Sequence, residues 1–404
     1  MTIKFKETVL QERIYNRVLQ VKEFLDLHYD IKLNVFDHSR VLIGSRTKKY
    51  TEEIKFEDIA IHIQEEGITG CDSLLKKILS SPNQTRHYNP IKEYFDALKG
   101  KYAGESHIAK LCGYLKAHDY GDQPEGHYQT RLNYTLRKWI VATAACAMGT
   151  KENDAMFVVV NSQEGIGKST LLEFLVPGNL KSFFMKSSKE MNMAQMFTSN
   201  LIINFDEMVG LTKYSAETFK NILSSKQICT SGRFSAPRQR YASACGTTNR
   251  DADNGGFLLH DMGLRRFAVN HIDHIDWEYH KEVSPDQIWA EAVMLLGQDF
   301  EFAWNQNDYA QFAEFNKRFI VQTNSYKLIN EFYRIPEPGE EDLAVFKLPM
   351  QILQDLRKAR KVNSTMNTVN EVNIGIAMKQ IGYHRFMKKI NGFPRYGYNV
   401  VQLF

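Results

Sequence analysis

Four short apolar runs recur through the middle of the chain, and each ends abruptly in polar residues. Residues 157–160 (FVVV) read as a short buried strand, and residues 168–175 as the first turns of a helix, so the segment between them is a strand-to-helix loop. Residues 201–205 (LIINF) form a second strand. Residues 242–246 (ASACG), small and apolar, suit a central third strand, and residues 267–269 (FAV) begin a fourth. Helical periodicity surrounds this core. Residues 131–149 (RLNYTLRKWIVATAACAMG) read as a buried helix packed on it, and residues 88–149 are mainly helical. Residues 1–82 alternate helical patterns with a strand pair around IKLNVF and RVLIGS.

The first loop carries chemistry. Its sequence, NSQEGIGKST, ends in Gly-Lys-Ser-Thr at a strand-helix junction, where a nucleoside triphosphate binds. Gly165 and Gly167 let backbone N–H groups converge on phosphate oxygens, with Ile166 between them, and Lys168 reaches the β- and γ-phosphates. Ser169 is positioned to hold Mg²⁺, and Thr170 completes the motif. Ser162 stands where the usual first glycine of the pattern would be.

Each later strand ends in residues that complement such a loop. The second ends in Asp206 and Glu207: the first suits Mg²⁺, directly or through water, and the second suits orienting the water that attacks a γ-phosphate. The third runs into Thr247-Thr248-Asn249, and Asn249 can bond both that water and the γ-phosphate; this strand belongs between the other two. Before the fourth stand Arg265 and Arg266. Adjacent strand residues face opposite ways, so one arginine can reach a neighbouring subunit's nucleotide while the other turns inward. The alternative is a surface pair engaged with Asp261 or Asp273.

Composition narrows the class. The chain has 404 residues, 43% of them hydrophobic, enough for two or three domains with substantial cores. No apolar stretch is long enough to span a bilayer, and the charged start MTIKFKETVLQER does not read as a signal peptide. Five scattered cysteines without C-x-x-C spacing suggest reduced thiols in a cytoplasm. A net charge of +4 neither demands nor excludes nucleic acid, so local charge has to decide.

The order of these four elements resembles that of AAA+ ATPases of the superfamily 3 helicase type. More narrowly, the chain resembles the virulence-associated protein E family, replication proteins of phages, plasmids and genomic islands. The resemblance rests on residues 165–170, 205–207, 246–249 and 263–267, extends upstream to YNPI (88–91) and LRKWI (136–140), and covers roughly residues 85–275. Departures are Ser162, Glu164 where the family tends to have Gln, and Leu264 within the arginine motif.

The resemblance implies a homo-oligomeric ring, usually a hexamer, with ATP between subunits and hydrolysis moving loops that grip single-stranded or forked DNA. It also implies a primase as a candidate partner. Residues 226–240 (KQICTSGRFSAPRQR) have the material for such a loop: Lys226, Arg233, Arg238 and Arg240, with no acid, around Gly232 and Pro237. The cations suit phosphates, and Phe234 suits base stacking.

Beyond a Pro/Gly/acid-rich segment at 335–342, two helical patterns precede a hairpin with Asn391, Gly392 and Pro394 in its turn. This suggests a winged helix, and no acid follows Glu371. The expected fold is an α/β AAA+ (P-loop NTPase) three-layer core at 151–305. It is preceded by an α+β region at 1–82 and a helical region at 83–150, and followed by a winged-helix-like domain at 306–404. The expected activity is that of an ATP-dependent DNA helicase or replication-initiator ATPase. The alternative is a DNA- or partner-bound switch ATPase that does not unwind.

Overall fold

Alternate residues of the 157–160 run enter two different cores, which explains why the run is continuously apolar. The computed structural model describes residues 16–403 except 36–40, 46–53, 55, 82–85, 188–191, 209–210, 212–215, 230–236, 260–262, 299 and 360–368. At its centre is a six-stranded sheet made of β1 (Leu115–Ala117), β2 (Met156–Val160), β3 (Phe184–Lys186), β4 (Ile202–Phe205), β5 (Ser243–Thr248) and β6 (Phe267–Ile275). Their spatial order is β1-β6-β2-β5-β4-β3. Neighbours from β6 to β3 are parallel, and β1 runs antiparallel against β6 at the edge. Phe157 and Val159 pack on one face with Trp139, Leu171 and Trp289, while Met156, Val158 and Val160 pack on the other with Phe205, Phe219 and Phe267. A sheet covered on both faces needs no polar alternation.

Helices on these faces hold the sheet from behind. α1 (His127–Ala147) has a small-residue C-terminal half, and Ala142, Ala144, Ala145 and Ala147 are buried. From it the Trp139 indole N–H donates to the Ala244 carbonyl of β5 at 3.1 Å. α2 (Lys168–Phe174) follows the loop after β2, and α3 (Pro285–Leu296) reaches its far end, where the Trp289 indole N–H donates to the Leu175 carbonyl at 2.7 Å. α4 (Gln306–Phe315) docks on α1 through a buried ion pair, Lys138 to Asp308 at 2.7 Å. No helix among the described residues is long and apolar enough to cross a membrane.

Two smaller units flank this core. On the N-terminal side, Tyr29–Asn34 pairs antiparallel with Val41–Ser45, the pair expected from IKLNVF and RVLIGS, and parallel with Arg86–Tyr88. On the C-terminal side, helices Pro349–Ala359 and Glu371–Ile381 pack with β8 (Phe393–Gln402), which forms a hairpin with the exposed β7 (Phe386–Ile390). Asn391 and Gly392, at φ 50° and 82°, form its turn. Pro394 does not share that turn: it lies in β8 opposite Lys389, within the exposed stretch 393–397 of β8 that pairs with β7, ahead of the residues that pair with Val345–Lys347, where a residue without an N–H is tolerated.

Candidate functional site

The C-terminal ends of three adjacent parallel strands converge at one place, the usual location for a ligand in an open α/β sheet. β2 is followed by Asn161, whose side chain pins the loop. Its Nδ2 donates to the Ile272 carbonyl at 2.7 Å, and its Oδ1 accepts the Gln163 N–H at 2.6 Å. The loop then turns through Gly165 and Gly167, at φ 77° and 99°, a backbone region that side chains rarely enter. Ile166 is half-buried between them, and Ser162 and Thr170 are exposed.

Lys168 opens α2 with only 6% of its surface exposed. Its ammonium donates to the carbonyls of Asn161 and Gln163, both at 3.0 Å, and to Oδ1 of Asn249 at the end of β5. Burial lowers its pKa, opposed by the carboxylates of Glu207, Asp206 and Glu164. Ser169 Oγ donates to Asp206 Oδ1 at 2.6 Å, and Thr247 Oγ1 donates to the same oxygen at 2.6 Å. Burial pushes the Asp206 carboxyl up, but those two hydroxyls, helped by Lys186 and Lys168, leave it below its ordinary value. A hydroxyl and a carboxylate are hard oxygen donors of the kind Mg²⁺ takes, and a glycine-bent loop with a buried cation is suited to phosphate oxygens. The residues present therefore fit a magnesium-nucleotide.

Glu207 is exposed beside this cluster. Its backbone and that of Met208 adopt φ of 49° and 54°, and its Oε2 accepts the Asn249 N–H at 3.2 Å. Non-glycine residues in this region cost energy, and such strain gathers at functional sites. The expected placement of the Thr-Thr-Asn strand between the other two is observed: β5 pairs with β2 on one side and β4 on the other.

The two arginines lie in a 3-10 turn, Leu264–Arg266, just before β6 and not within it. They still diverge. Arg266 turns inward, with Nη1 donating to the Asp154 carbonyl at 3.3 Å and lying 3.8 Å from its carboxylate. Arg265 is exposed, 5.8 Å from the Tyr309 ring. Asp273 instead meets His118 at 2.7 Å, and Asp261 lies outside the described residues.

The basic hairpin exists in outline, with Gln227–Ile228 antiparallel to Arg238–Gln239. Lys226 and Arg238 are exposed, while Arg233 and Phe234 lie outside the described residues. Arg240 is a correction: it is 1% exposed, and its guanidinium donates to the carbonyls of Ala242, Ile222, Leu223 and Asn153. Buried among those carbonyls, it has no surface for DNA. In the C-terminal hairpin Arg385, Lys388, Lys389 and Arg395 are exposed beside Phe393 and Tyr396.

Sequence reasoning assigned no role to Thr247 or Asn161. Thr247 is the first polar residue after the apolar stretch of β5, and Asn161 the first after β2, which is the signal each offered.

A family model for the virulence-associated protein E-like domain matches residues 100–321. Two solved apo structures of the NrS-1 C-terminal region are among those the chain matches. One has 11% identity, covers 95% of this chain and 99% of that chain, and has a TM-score of 0.42. The other, an A form, has 11% identity, covers 96% and 99%, and has a TM-score of 0.44. No curated protein matches the chain.

Proposed function

The chain belongs to the family of virulence-associated protein E-like domains, and from that premise we propose that it is an ATP-hydrolysing DNA helicase or replication initiator with an AAA+ core, working as a homo-oligomeric ring. The observation that carries this reading is the meeting of Lys168, Ser169, Asp206 and Asn249 at the ends of three neighbouring parallel strands.

Mg²⁺, when bound, would supply positive charge against the negative charge developing on the transferred phosphoryl group. Ser169 and Asp206 would hold the metal, and Thr247, donating to the Asp206 carboxylate, keeps it aimed and ionised. Lys168 exchanges its carbonyl partners for phosphate oxygens, to which the N–H groups of residues 165–170 also donate. Glu207 orients and polarises the attacking water, held by the Asn249 N–H in a position where its carboxylate stays exposed. Arg265, exposed where Arg266 is tied to Asp154, is the arginine that reaches a neighbouring subunit's nucleotide. Lys226, Arg233 and Arg238 grip the DNA backbone from the hairpin, and the winged-helix-like C-terminal unit offers a second basic surface. A primase on the same replication assembly is the protein partner this reading implies.

The test is strand displacement on forked DNA with Mg²⁺ and ATP, beside imaging of the protein with a non-hydrolysable analogue. Unwinding with rings supports the full reading. DNA-stimulated ATPase without displacement reduces it to the switch, and the absence of any Mg²⁺-dependent hydrolysis overturns it.

A further inference from the structure

Trp277 is an exposed indole pressed against the phosphate loop. It follows β6 by two residues and keeps 48% of its surface open, whereas the other three tryptophans, Trp139, Trp289 and Trp304, are at 0%, 0% and 7%. Its benzo edge lies on Gly167: a Cβ added there would sit 2.6 Å from Cζ2 and 2.9 Å from Cη2. His280 stacks parallel on it, with ring centroids 5.4 Å apart and planes inclined by 5°. The turn bearing it is anchored by the Asp276 N–H to the Tyr114 carbonyl at 2.8 Å and by the His280 N–H to the Trp277 carbonyl at 3.2 Å. An isolated large apolar side chain on a surface needs no explanation, but one fixed by a stacked partner beside a phosphate loop does.

Sheet order gives the direction in which a nucleotide lies. β5 and β4, on one side of β2, bring Asn249, Asp206 and Glu207, the groups suited to the terminal phosphate and its metal. β6 lies on the other side of β2 and extends beyond it: its parallel pairing stops at His271 opposite Val160, and the strand continues to Ile275. A triphosphate with its γ end toward β5 and β4 therefore runs its ribose and base toward β6, and Trp277 stands there.

We propose that Trp277 is the base platform of this site, stacking a purine ring on its indole, with His280 buttressing the indole from its own side. The proposal rests on the nucleotide reading above. An aromatic platform favours any base over none, and the larger ring of a purine overlaps it more than a pyrimidine does. The site therefore selects ATP and GTP over CTP, and all three over inorganic tripolyphosphate.

The test compares binding of Mg·ATP, Mg·CTP and Mg·tripolyphosphate by calorimetry to the full chain and to Trp277→Ala, Trp277→Phe and Lys168→Ala. The wild type is expected to prefer ATP to tripolyphosphate by about tenfold or more. Trp277→Ala should bring the two within about threefold of each other by weakening ATP alone, and Trp277→Phe should keep most of the preference. ATP should quench indole fluorescence in the wild type and not in Trp277→Phe, since the remaining tryptophans are buried. An unchanged ratio of ATP to tripolyphosphate affinity in Trp277→Ala overturns the platform while leaving the nucleotide site standing. Loss of both ligands in Lys168→Ala with neither outcome altered by Trp277 has the same meaning, and failure of the wild type to bind any of the three overturns both readings.

Discussion

Ser169 and Asp206, brought from the start of α2 and the end of β4, meet at 2.6 Å across the mouth of the sheet. Thr247 donates to the same carboxylate oxygen, so that two hydroxyls hold one acid ionised. The folded state then holds the Asp206 proton less tightly than the unfolded chain does. This stabilisation is present above the ordinary carboxyl range and is lost as pH falls through the lowered folded value. Thr247→Val removes one donor, so its acid unfolding midpoint should lie at higher pH than that of the wild type. Circular dichroism across an acid titration checks this, and superimposable acid limbs would contradict it.

The same logic with opposite sign applies to Lys168. Its folded pKa is lowered by burial, so carrying its charge costs stability at neutral pH, and the cost fades as pH rises through that lowered value. Lys168→Met should leave the thermal midpoint of the nucleotide-free protein equal or higher, and should abolish the rise in midpoint on adding Mg·ATP. A fall of several degrees without nucleotide would mean that the lysine's three hydrogen bonds outweigh its desolvation.

Much of the core was legible because buried strands and glycine turns announce themselves: the apolar runs at 157–160 and 201–205 are β2 and β4, and the Asn391-Gly392 turn is where its residues require it. Three features were not legible, for separate reasons. Arg240 looks like one more cation of a basic hairpin, yet it sits where the chain re-enters the core, and only the fold brings the carbonyls of Ile222, Leu223 and Asn153 around it. The strand begins at Phe267 as expected, but Arg265 and Arg266 diverge through a 3-10 turn ahead of it, entered through Gly263 at φ 74°, and not by strand alternation. β1 is three residues long and carries no period that a sequence can show.

Lys138 and Asp308, at 1% and 2% exposure, join α1 to α4, and Asp308 also accepts the Tyr134 hydroxyl and caps α4 through the Asn305 N–H. Removing one partner leaves a buried charge unpaired, so Asp308→Asn or Lys138→Met should each cost about 3–5 kcal/mol, and the pair of substitutions together less than the sum of the two. Denaturant unfolding of the four proteins checks this, and strict additivity would mean that the pair is not coupled.

The arginines should separate by what they touch. Arg266→Ala, losing Asp154, should lower the thermal midpoint. Arg265→Ala should leave the midpoint unchanged, reduce ATP turnover by about 10³-fold, and regain activity when mixed with Lys168→Ala, whose intact arginine then meets an intact loop. Absence of rescue on mixing, with turnover per subunit independent of protein concentration, would point to a self-contained monomer.

Replacing Lys226 and Arg238 by alanine should weaken single-stranded DNA binding and flatten its salt dependence by roughly 0.7 per lost phosphate contact, with basal ATPase retained. An unchanged slope in fluorescence anisotropy titrations would move the DNA contact to the exposed Lys388, Lys389 and Arg395 of the C-terminal hairpin.

The account stands most directly on Glu207, the exposed carboxylate that the Asn249 N–H holds beside Lys168. The measurement is single-turnover ATP hydrolysis with Mg²⁺ by the wild type and Glu207→Gln, alongside ATP affinity for both. The account predicts that Glu207→Gln binds ATP as the wild type does and hydrolyses it about 10²-fold or more slowly, because only water activation is removed. Hydrolysis by Glu207→Gln at the wild-type rate would contradict it.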